Sequence, residues 1–356
     1  MGKKKLDIKT LLPFVSICTP TFNRRPFIQT MFACFRNQKY PAECMEWIIV
    51  DDGTDKIEDL IRDANIPQIK YFPLENKMAL GEKRNYMHQQ TKGDILIYMD
   101  DDDYYPPERV SHAVEMLMKN PNKLCAGASE MFIYYKHDIH KMYQCGPYGD
   151  NHATAGTFAF RRELLNQTRY EDTAALAEEK LFLNNFTIPM VQLDPYKTIL
   201  VFSHEHNTFD KRNLLQNLHP LYFRESVVQV RDFIRKKREA SIYKFFMEQI
   251  DGALKDYEPG LPKWKPDVLL QMDEMNKERE KMRTQTTVPK IMVEQPGHPP
   301  RQMEPREIVD TMRNQQEHIK MQSDRITELE SMVVQLQQQL LLIAQNMGGS
   351  RGYSTR

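Results

Sequence analysis

Four consecutive aspartates, Asp100 to Asp103, end the apolar run ILIYM at residues 95–99. At separations of ~4 Å, each pair of neighbouring carboxylates repels by roughly 1 kcal/mol in water and by about 4 kcal/mol at an effective dielectric near 20. This repulsion indicates a positively charged partner. Alternate carboxylates beyond the end of a strand can hold a hard divalent cation, which in turn binds phosphate oxygens. The alternative is a solvated acidic turn.

Further charged residues lie at other predicted strand ends and at a helix start. Asp51 and Asp52 follow the run EWIIV, and a turn with an N-capping aspartate is the alternative for them. Lys83 and Arg84 open a predicted helix, where cations are normally disfavoured, so they indicate an anionic partner; a solvated basic face is the alternative. Beyond the first predicted strand, TPTFNRR supplies Thr19, Thr21 and either Arg24 or Arg25.

The second half of this region adds carboxylates and imidazoles. Glu178 and Glu179 lie early in the amphipathic segment TAALAEEKLFLNNF, where the helix dipole alone would favour them. His204 and His206 follow a predicted strand within an extended segment. Alternate residues of such a segment face opposite ways, so at most one of these two histidines joins a given site.

Short apolar runs alternate with amphipathic segments from residue 14 to about 199, which is typical of an α/β domain with a mainly parallel sheet. The runs predicted as strands are 14–18, 46–50, 69–72, 95–99, 131–135, 157–160 and 198–203. The segments predicted as helices are 25–37, 55–64, 81–92 and 173–186. Because the carboxyl ends of parallel strands converge on one crevice, the residues above are expected to meet there.

The chain changes character after residue 210. Residues 211–255 hold helical patterns, and prolines accumulate over 256–305, which predicts a linker with one charged helix near 268–283. Apolar residues then recur every seven positions over 306–346, which predicts a coiled coil followed by a disordered tail at 347–356. The first core position of each heptad is taken by Met312, Ile319, Ile326, Val333 and Leu340.

The coiled coil predicts a homo-oligomer. Mostly β-branched residues at the first core position, with Leu329 and Leu336 at the second, favour a parallel dimer. Gln315 and Gln322 at the second core position could shift the preference to a trimer. The alternative is a single amphipathic helix that packs on its own domain.

Composition limits the partners and the compartment. The 49 basic and 49 acidic residues cancel, which disfavours nucleic acid or an anionic membrane surface as a partner. Five scattered cysteines form no zinc-binding pattern and indicate a reducing compartment. The sequence has no signal-peptide pattern and no apolar run long enough to span a membrane. A cytoplasmic location is therefore expected, which would include a host cytoplasm or a virion for a viral protein.

The ordered set TPTFNRR, VDDGT, GEKRN, YMDDDDYYPP, GTFAFRRELL, AEEKLFL and SHEHNT resembles glycosyltransferase family 2, which has the GT-A fold. The resemblance covers about residues 14–210 and implies a transferase domain over 1–210. The positions that it assigns to nucleotide binding are Thr19, Pro20, Thr21, Asp51, Asp52, Lys83, Arg84 and Asp101. The positions that it assigns to a Mn²⁺ or Mg²⁺ ion are Asp100, Asp102, Asp103 and His204.

The resemblance also implies a catalytic base and a mechanism. The family usually has a Glu-Asp pair at this point; here the pair is Glu178 and Glu179, and Glu179 takes the position of the base. The longer glutamate side chain moves its carboxylate by about 1 Å, which matters for a positioned proton transfer. The implied reaction is an inverting transfer of a sugar from a nucleotide sugar, with UDP as the expected leaving group, to a hydroxyl of a glycan or protein.

Two other functions stay open at this point. One is a sugar nucleotidyltransferase, although TPTFNRR lacks the Gly-rich basic loop that such an enzyme needs after its first strand. The other is a non-catalytic oligomeric scaffold with a degenerate transferase domain. Nucleotide binding with and without Mn²⁺ separates the scaffold from the transferase.

Overall fold

The computed structural model describes residues 12–136, 140–216, 221–285, 292–293 and 301–348. The chain divides into two compact units, residues 1–285 and residues 286–356. The tail predicted at 347–356 lies outside the described residues except for its first two positions, 347 and 348.

Eleven strands of the first unit form two sheets among the residues that the structure describes. The strands are β1 (Val15–Thr21), β2 (Met45–Asp51), β3 (Ile69–Pro73), β4 (Ile95–Tyr98), β5 (Cys125–Gly127), β6 (Met131–Tyr135), β7 (Lys141–Cys145), β8 (Ala159–Arg161), β9 (Met190–Gln192), β10 (Leu200–Ser203) and β11 (Phe223–Ser226). The larger sheet has the order β3-β2-β1-β4-β8-β5-β9, and the smaller one has the order β10-β6-β7-β11.

The larger sheet is mainly parallel, as the sequence predicts. The neighbours of β1, which are β2 and β4, both run parallel to it, and so do the pairs β2-β3 and β5-β9. Only β8 runs antiparallel to its neighbours within this described sheet. Parallel pairing brings the carboxyl ends of β1, β2 and β4 to the same edge.

Alternating side chains divide the core into two clusters. Ile17, Trp47 and Ile97 belong to one apolar cluster, whereas Cys18 and Ile48 belong to the other. Successive residues of a strand point to opposite faces, so both faces of this sheet are covered by apolar packing. A sheet buried on both faces explains why its strands read as nearly continuous apolar runs in the sequence.

The helices of the first unit cover these sheets and extend to its end. They are α1 (Ile28–Arg36), α2 (Glu58–Ala64), α3 (Leu80–Gln90), α4 (Arg109–Lys119), α5 (Glu179–Phe182), α6 (Arg212–Gln216), α7 (Val230–Phe233), α8 (Ala240–Lys244), α9 (Ile250–Leu254) and α10 (Pro266–Gln285). A π-helical turn, Phe245–Gln249, connects α8 and α9.

The helix predicted over 173–186 is much shorter in the structure. Only α5 is helical there, and Ala177 just before it has a φ of 53°. Asn184, Asn185 and Phe186 beyond it also have positive φ, at 48°, 55° and 61°. These left-handed residues interrupt a right-handed helix on both sides, so the segment is mostly irregular.

The two segments predicted between the transferase domain and the coiled coil also differ from expectation. The 211–255 segment contains β11, which pairs antiparallel with β7, so it completes a sheet and is not only helical. Residues 256–285, predicted as part of a linker, belong to the first unit. Pro259, Pro262 and Pro266 begin helical turns instead of extending the chain, and Tyr257 Oη donates a hydrogen bond of 2.8 Å to Asp55.

The second unit contains a short antiparallel pair, β12 (Met292–Val293) and β13 (Arg301–Gln302), and the 44-residue helix α11 (Pro305–Gly348). The apolar heptad residues Ile319, Ile326 and Leu336 are 64%, 56% and 58% exposed on this helix in the single chain. The coiled coil itself stays a prediction. No helix within the described ranges has the length and apolar character needed to cross a lipid bilayer.

Candidate active site

A cavity of about 270 Å³ lies beyond the carboxyl ends of β1 and β4. Its walls come from the end of β1 and the loop after it, the start of α3, the aspartate run after β4, the loop before α5, the loop after β10, and the residue that precedes α10. The charged residues that line it are Arg24, Lys83, Arg84, Asp100, Asp101, Asp102, Asp103, Lys211 and Lys265. Of the residues singled out from the sequence, the cavity brings together Pro20, Thr21, one of the two arginines after β1, Lys83, Arg84 and the four aspartates, and additional cations join them.

Asp100 is held at the cavity wall by a tight local arrangement. Its backbone N–H donates a 2.8 Å hydrogen bond to Tyr105 Oη, which itself donates to the carbonyl of Gly156 at 3.1 Å. A Cβ at position 156 would lie 2.8 Å from Asp100 Oδ2. Any residue larger than glycine there would therefore displace the Asp100 carboxylate. Asp100 Oδ1 is buried and has no hydrogen-bond partner among the residues that the structure describes.

Arg24 is the cation closest to the aspartate run. Its guanidinium lies 3.5 Å from Asp101 Oδ1 and 3.4 Å from Asp102 Oδ2, and it donates at 3.3 Å to the carbonyl of Gly260. Arg24 is buried, whereas Arg25 turns outward to Asp55 and Asp59. Of the two arginines that the sequence left open, Arg24 faces the cavity.

Burial and mutual repulsion disfavour charge on most of these aspartates. Burial, with the charge of Asp102 beside it, raises the pKa of Asp100 and holds the pKa of Asp103 well above its usual range. Burial likewise raises the pKa of Asp101 to about 7, against the opposing effect of Arg24. Asp103 also accepts a 3.1 Å hydrogen bond from the backbone N–H of Phe202, so it joins the aspartate run to β10.

His204 faces Asp102, with its Nε2 atom 3.3 Å from Asp102 Oδ2. The Asn207 side chain fixes the ring: its Oδ1 accepts from the His204 backbone N–H at 2.8 Å, and its Nδ2 lies 2.9 Å from His204 Nε2. An amide nitrogen only donates, so Nε2 is an acceptor here. Burial lowers the pKa of His204 to about 3, against the opposing effect of its contact with Asp102, so the neutral ring is favoured.

His206 points away from this cluster. Its Nε2 atom lies 2.6 Å from the carbonyl oxygen of Tyr257. The two histidines therefore diverge, but the segment is a turn and not extended, because the Asn207 backbone N–H donates to the His204 carbonyl at 3.1 Å.

The two aspartates after β2 have different surroundings. Asp51 accepts hydrogen bonds from Gly53 N–H at 2.9 Å, Ile57 N–H at 3.2 Å and Tyr71 Oη at 2.7 Å, which is the turn-stabilising arrangement. Asp52 forms a buried ion pair with Lys83, and it accepts a 2.8 Å hydrogen bond from the backbone of Met78. Lys83 lines the cavity, whereas Asp51 and Asp52 lie behind it.

Arg84 and the adjacent glutamates Glu178 and Glu179 form a further group of charged residues at the site. Arg84 Nε donates at 2.9 Å to Glu178 Oε1, both side chains are buried, and the guanidinium lies 4.3 Å from the centre of the Tyr98 ring. Glu179 is half-buried and forms no such pair among the described residues. Burial and the adjacent Glu178 raise the pKa of Glu179 to about 7. Neither glutamate is among the described residues that line the cavity.

The three residues assigned at the end of β1 separate into two groups. Thr19 is fully buried; its hydroxyl donates to the Met99 carbonyl at 2.6 Å and accepts from Trp47 Nε1 at 2.9 Å. This threonine stabilises the sheet and does not reach the cavity. Pro20 and Thr21 line the cavity.

The sequence reasoning missed two cavity cations, Lys211 and Lys265, and the aromatic ring of Phe22. Lys265 Nζ donates at 2.6 Å to Thr208 Oγ1, and burial lowers the pKa of this ammonium well below its usual value. Lys211 lies three residues after the SHEHNT motif and so could have been found. Lys265 follows a proline-rich stretch with no periodic signal, so its place depends on how the chain folds back.

No set of three or more His, Cys, Asp or Glu side chains in the described ranges has a metal-binding arrangement by itself. Mg²⁺ is commonly bound by one or two carboxylates together with waters and substrate phosphates, so a two-carboxylate site is sufficient for it. The partnerless Asp100 Oδ1 and the adjacent Asp102 carboxylate, with His204 Nε2 3.3 Å from it, are the groups that suit a cation here.

Part of the chain is similar to known glycosyltransferases. The model described as glycosyl transferase family 2 matches residues 16–177. An uncharacterized glycosyltransferase of Haemophilus influenzae is 28% identical over 108 residues, which are 30% of this chain and 36% of that protein. The GalNAc(5)-diNAcBac-PP-undecaprenol beta-1,3-glucosyltransferase of Campylobacter jejuni is 29% identical over 118 residues, which are 32% of this chain and 36% of that protein.

A solved structure is similar over a longer part of the chain. The crystal structure of S. aureus TarS 1-349 in complex with UDP-GlcNAc aligns with a TM-score of 0.45 and 15% identity, covering 81% of this chain and 99% of that one. Residues 16–177 of the chain are thus similar to glycosyltransferase family 2, and the predicted α/β fold with a mainly parallel central sheet is confirmed. The matched segments span about a third of the length of the Haemophilus and Campylobacter relatives.

Proposed function

We propose that this protein is an inverting, metal-dependent glycosyltransferase that moves a sugar from a nucleotide sugar to a hydroxyl acceptor on a glycan or protein. The observation that carries the proposal is the cavity at the ends of β1 and β4, where four aspartates and five cations face one space of about 270 Å³. A site with both signs of charge can hold a diphosphate and a divalent cation together. The match of residues 16–177 to the glycosyl transferase family 2 model supports this assignment.

Asp100 and Asp102 are the residues proposed to hold Mn²⁺ or Mg²⁺, with His204 beside them and Asp101 and Asp103 adjacent. The fit rests on the partnerless Asp100 Oδ1 and on His204 Nε2, which lies 3.3 Å from the Asp102 carboxylate. A bound cation would supply positive charge to the diphosphate leaving group. It would also relieve the repulsion among carboxylates that are otherwise hard to ionise.

The chain's own cations orient the donor in this proposal. Lys83 and Arg84 lie in the first turns of α3, each held in place by a buried carboxylate, and can donate to phosphate oxygens. Pro20 and Thr21 would contact the nucleoside. Of the two aspartates after β2, Asp52 is the better candidate for base recognition, because its carboxylate is joined to the cavity through Lys83 whereas Asp51 stabilises a turn.

Glu179 is proposed as the base that accepts the proton of the attacking hydroxyl. Glu178 is committed to the buried pair with Arg84, which leaves Glu179 as the half-buried carboxyl of the two. The acceptor oxygen then attacks the anomeric carbon from the face opposite the leaving nucleotide, so the anomeric configuration inverts. A base whose pKa lies near 7 is well matched to this task at neutral pH.

UDP is proposed as the nucleotide, as the family resemblance implies, and a hexose as the transferred group. The Campylobacter relative is by its name a glucosyltransferase, which supports the hexose. A cytoplasmic location is also proposed, because all five cysteines are buried and free, as in a reducing compartment.

A screen of nucleotide sugars tests the function directly. We expect one donor to raise the melting temperature in the presence of Mn²⁺ or Mg²⁺ and to lose this effect in EDTA. A ligand at a hundred times its Kd stabilises a fold by about 2.7 kcal/mol, which thermal unfolding detects readily. Slow hydrolysis of the same donor, detected as release of the nucleoside diphosphate, would establish that the protein cleaves the bond between the sugar and the diphosphate. Absence of binding under either condition would favour the scaffold instead.

Oligomerisation through α11 is a second part of the proposal. Ile326→Asp places a charge in the heptad core and is expected to convert the oligomer into monomers in size-exclusion chromatography with light scattering. Met321→Asp is the matched control, because Met321 is 69% exposed on the same helix but lies off the heptad core. Equal elution and mass for both variants and the unchanged protein would contradict the coiled coil.

A further inference from the structure

The segment 257–271 contributes part of the cavity wall although it lies far beyond the family match. Asn23 Nδ2 donates at 2.9 Å to the Pro259 carbonyl, next to the contact between Arg24 and Gly260. Gln271 Oε1 accepts from the backbone N–H groups of Ala175 and Leu176, at 2.8 and 2.9 Å, and these two residues line the cavity. The segment therefore joins the loop after β1 to the loop before α5.

Lys265 is the residue of this segment that reaches the cavity. It is 7% exposed, and its ammonium donates a 2.6 Å hydrogen bond to the hydroxyl of Thr208. No carboxylate in the described part of the chain forms an ion pair with it. A buried ammonium with only a neutral acceptor is poorly stabilised, since desolvation of a charge is offset mainly by an opposite charge.

Two neighbouring lysines have carboxylate partners and so provide a comparison for Lys265. The Nζ atoms of Lys77, Lys83 and Lys265 lie 5.6, 5.9 and 5.7 Å from the centre of the Phe22 ring. Lys77 pairs with Asp267, and Lys83 pairs with Asp52. Lys265 differs from both in lacking a carboxylate while lining the cavity, so its unmet partner is expected to be an anion from outside the chain.

We propose that Lys265 binds the diphosphate of the nucleotide sugar, so that the segment 257–271 supplies a phosphate ligand from outside the matched family region. This inference rests on the proposed function, because it names a further residue for the same ligand. The diphosphate suits the position: Lys265 lines the same cavity as Asp101 and Asp102, and the cavity cations Lys83 and Arg84 already have carboxylate partners.

The test compares Lys265→Met with Lys263→Met by titration calorimetry of the full-length protein in Mg²⁺, using pyrophosphate and UDP as probes. Lys263 lies two residues away but is 53% exposed and pairs with Glu258, so it is a matched control. Loss of a charge-assisted hydrogen bond is expected to weaken both probes by roughly tenfold to a hundredfold in Lys265→Met. Lys263→Met should bind them as the unchanged protein does.

Uridine separates phosphate binding from a purely structural role. It has no phosphate, so its affinity, measured by ligand-observed NMR, should be the same in Lys265→Met and the unchanged protein. Equal weakening of uridine and UDP would show that Lys265 only maintains the fold and would overturn the inference. If Lys265→Met does not melt cooperatively, Lys265→Gln takes its place in the same titrations.

The outcomes also distinguish this inference from the proposed function. If the unchanged protein binds neither pyrophosphate nor any nucleoside diphosphate, the proposed function fails. If the unchanged protein binds UDP and Lys265→Met binds pyrophosphate and UDP equally well, the proposed function stands and the role of Lys265 is refuted.

Discussion

Sugar transfer by the Asp102→Asn variant is expected to fall about a thousandfold, with little change in melting temperature. Asp102 lies beside Arg24 at 3.4 Å and His204 at 3.3 Å, and it is one of the two carboxylates proposed to hold the cation. Loss of a cation that stabilises the leaving diphosphate costs several kcal/mol of transition-state stabilisation, and about 4 kcal/mol corresponds to a thousandfold in rate.

Stability should change little because the substitution has two opposing effects. It weakens the contact with Arg24, but Arg24 keeps Asp101 as a partner at 3.5 Å. It also removes the Asp102 charge, whose repulsion helps to raise the pKa of Asp100 and of Asp103. The fold can therefore be tested separately from the activity.

Initial rates at saturating donor, together with titration of Mn²⁺ alone, measure this prediction. Asp210→Asn is the control: Asp210 lies in the loop after β10, and its carboxylate pairs with Arg212 at 2.9 Å, at the surface. We expect this variant to bind Mn²⁺ and to transfer sugar as the unchanged protein does. Unaltered transfer by Asp102→Asn would remove the basis for the metal assignment.

The strands that position this site could be predicted because each of them contains a short, mainly apolar run. β1, β2 and β4 are buried on both faces, so their sequences stand out, and the polar residues that follow them mark the edge where a ligand binds. Local sequence is sufficient at such places. The same reasoning located the aspartate run without any knowledge of long-range contacts.

The predicted helix over 173–186 shows where local reasoning fails. Alanine and glutamate there favour a helix, but long-range contacts decide the backbone. Glu178 is drawn into the pair with Arg84, and Gln271 accepts from the backbone N–H groups of Ala175 and Leu176, so contacts from outside the segment hold it in place. Arg84 and Gln271 each lie more than 90 residues along the chain from the residues that they contact, so no local sequence pattern indicates these contacts.

For a similar reason, the position of Lys265 at the cavity could not have been predicted from the sequence. Prolines before and after it are typical of a linker, and the structure uses them to start short helical turns that return the chain to the site. The role of Asp51 was left open by the sequence, since a turn and a binding site both favour an aspartate. Its contacts with Gly53 and Ile57 correspond to the turn.

Replacement of Glu179 by Gln is expected to lower the transfer rate by a hundredfold to ten thousandfold, the range of general-base catalysis. Glutamine has the same size but cannot accept a proton at neutral pH. Glu179 forms no ion pair in the described part of the chain, so the melting temperature and the affinity for the donor should stay unchanged. Initial rates and donor titration on the same preparation measure both effects.

Glu178→Gln is the paired comparison, with the opposite expectation. It leaves the buried guanidinium of Arg84 without its carboxylate, whose side chain is only 5% exposed. Removal of one partner from a buried ion pair costs about 3 kcal/mol or more, so the melting temperature should fall by several degrees. A stable but inactive Glu178→Gln variant, beside an active Glu179→Gln variant, would exchange the two roles.

The pH dependence of the rate gives an independent criterion for the same residue. Because burial and Glu178 raise the pKa of Glu179 to about 7, its carboxyl is protonated below that pH and available as a base above it. The rate constant kcat/KM of the unchanged protein should therefore rise with pH up to about 7 and then level off. The residual rate of Glu179→Gln should lack this rise, since the titrating base is gone. An identical acid limb in both proteins would mean that another group accepts the proton.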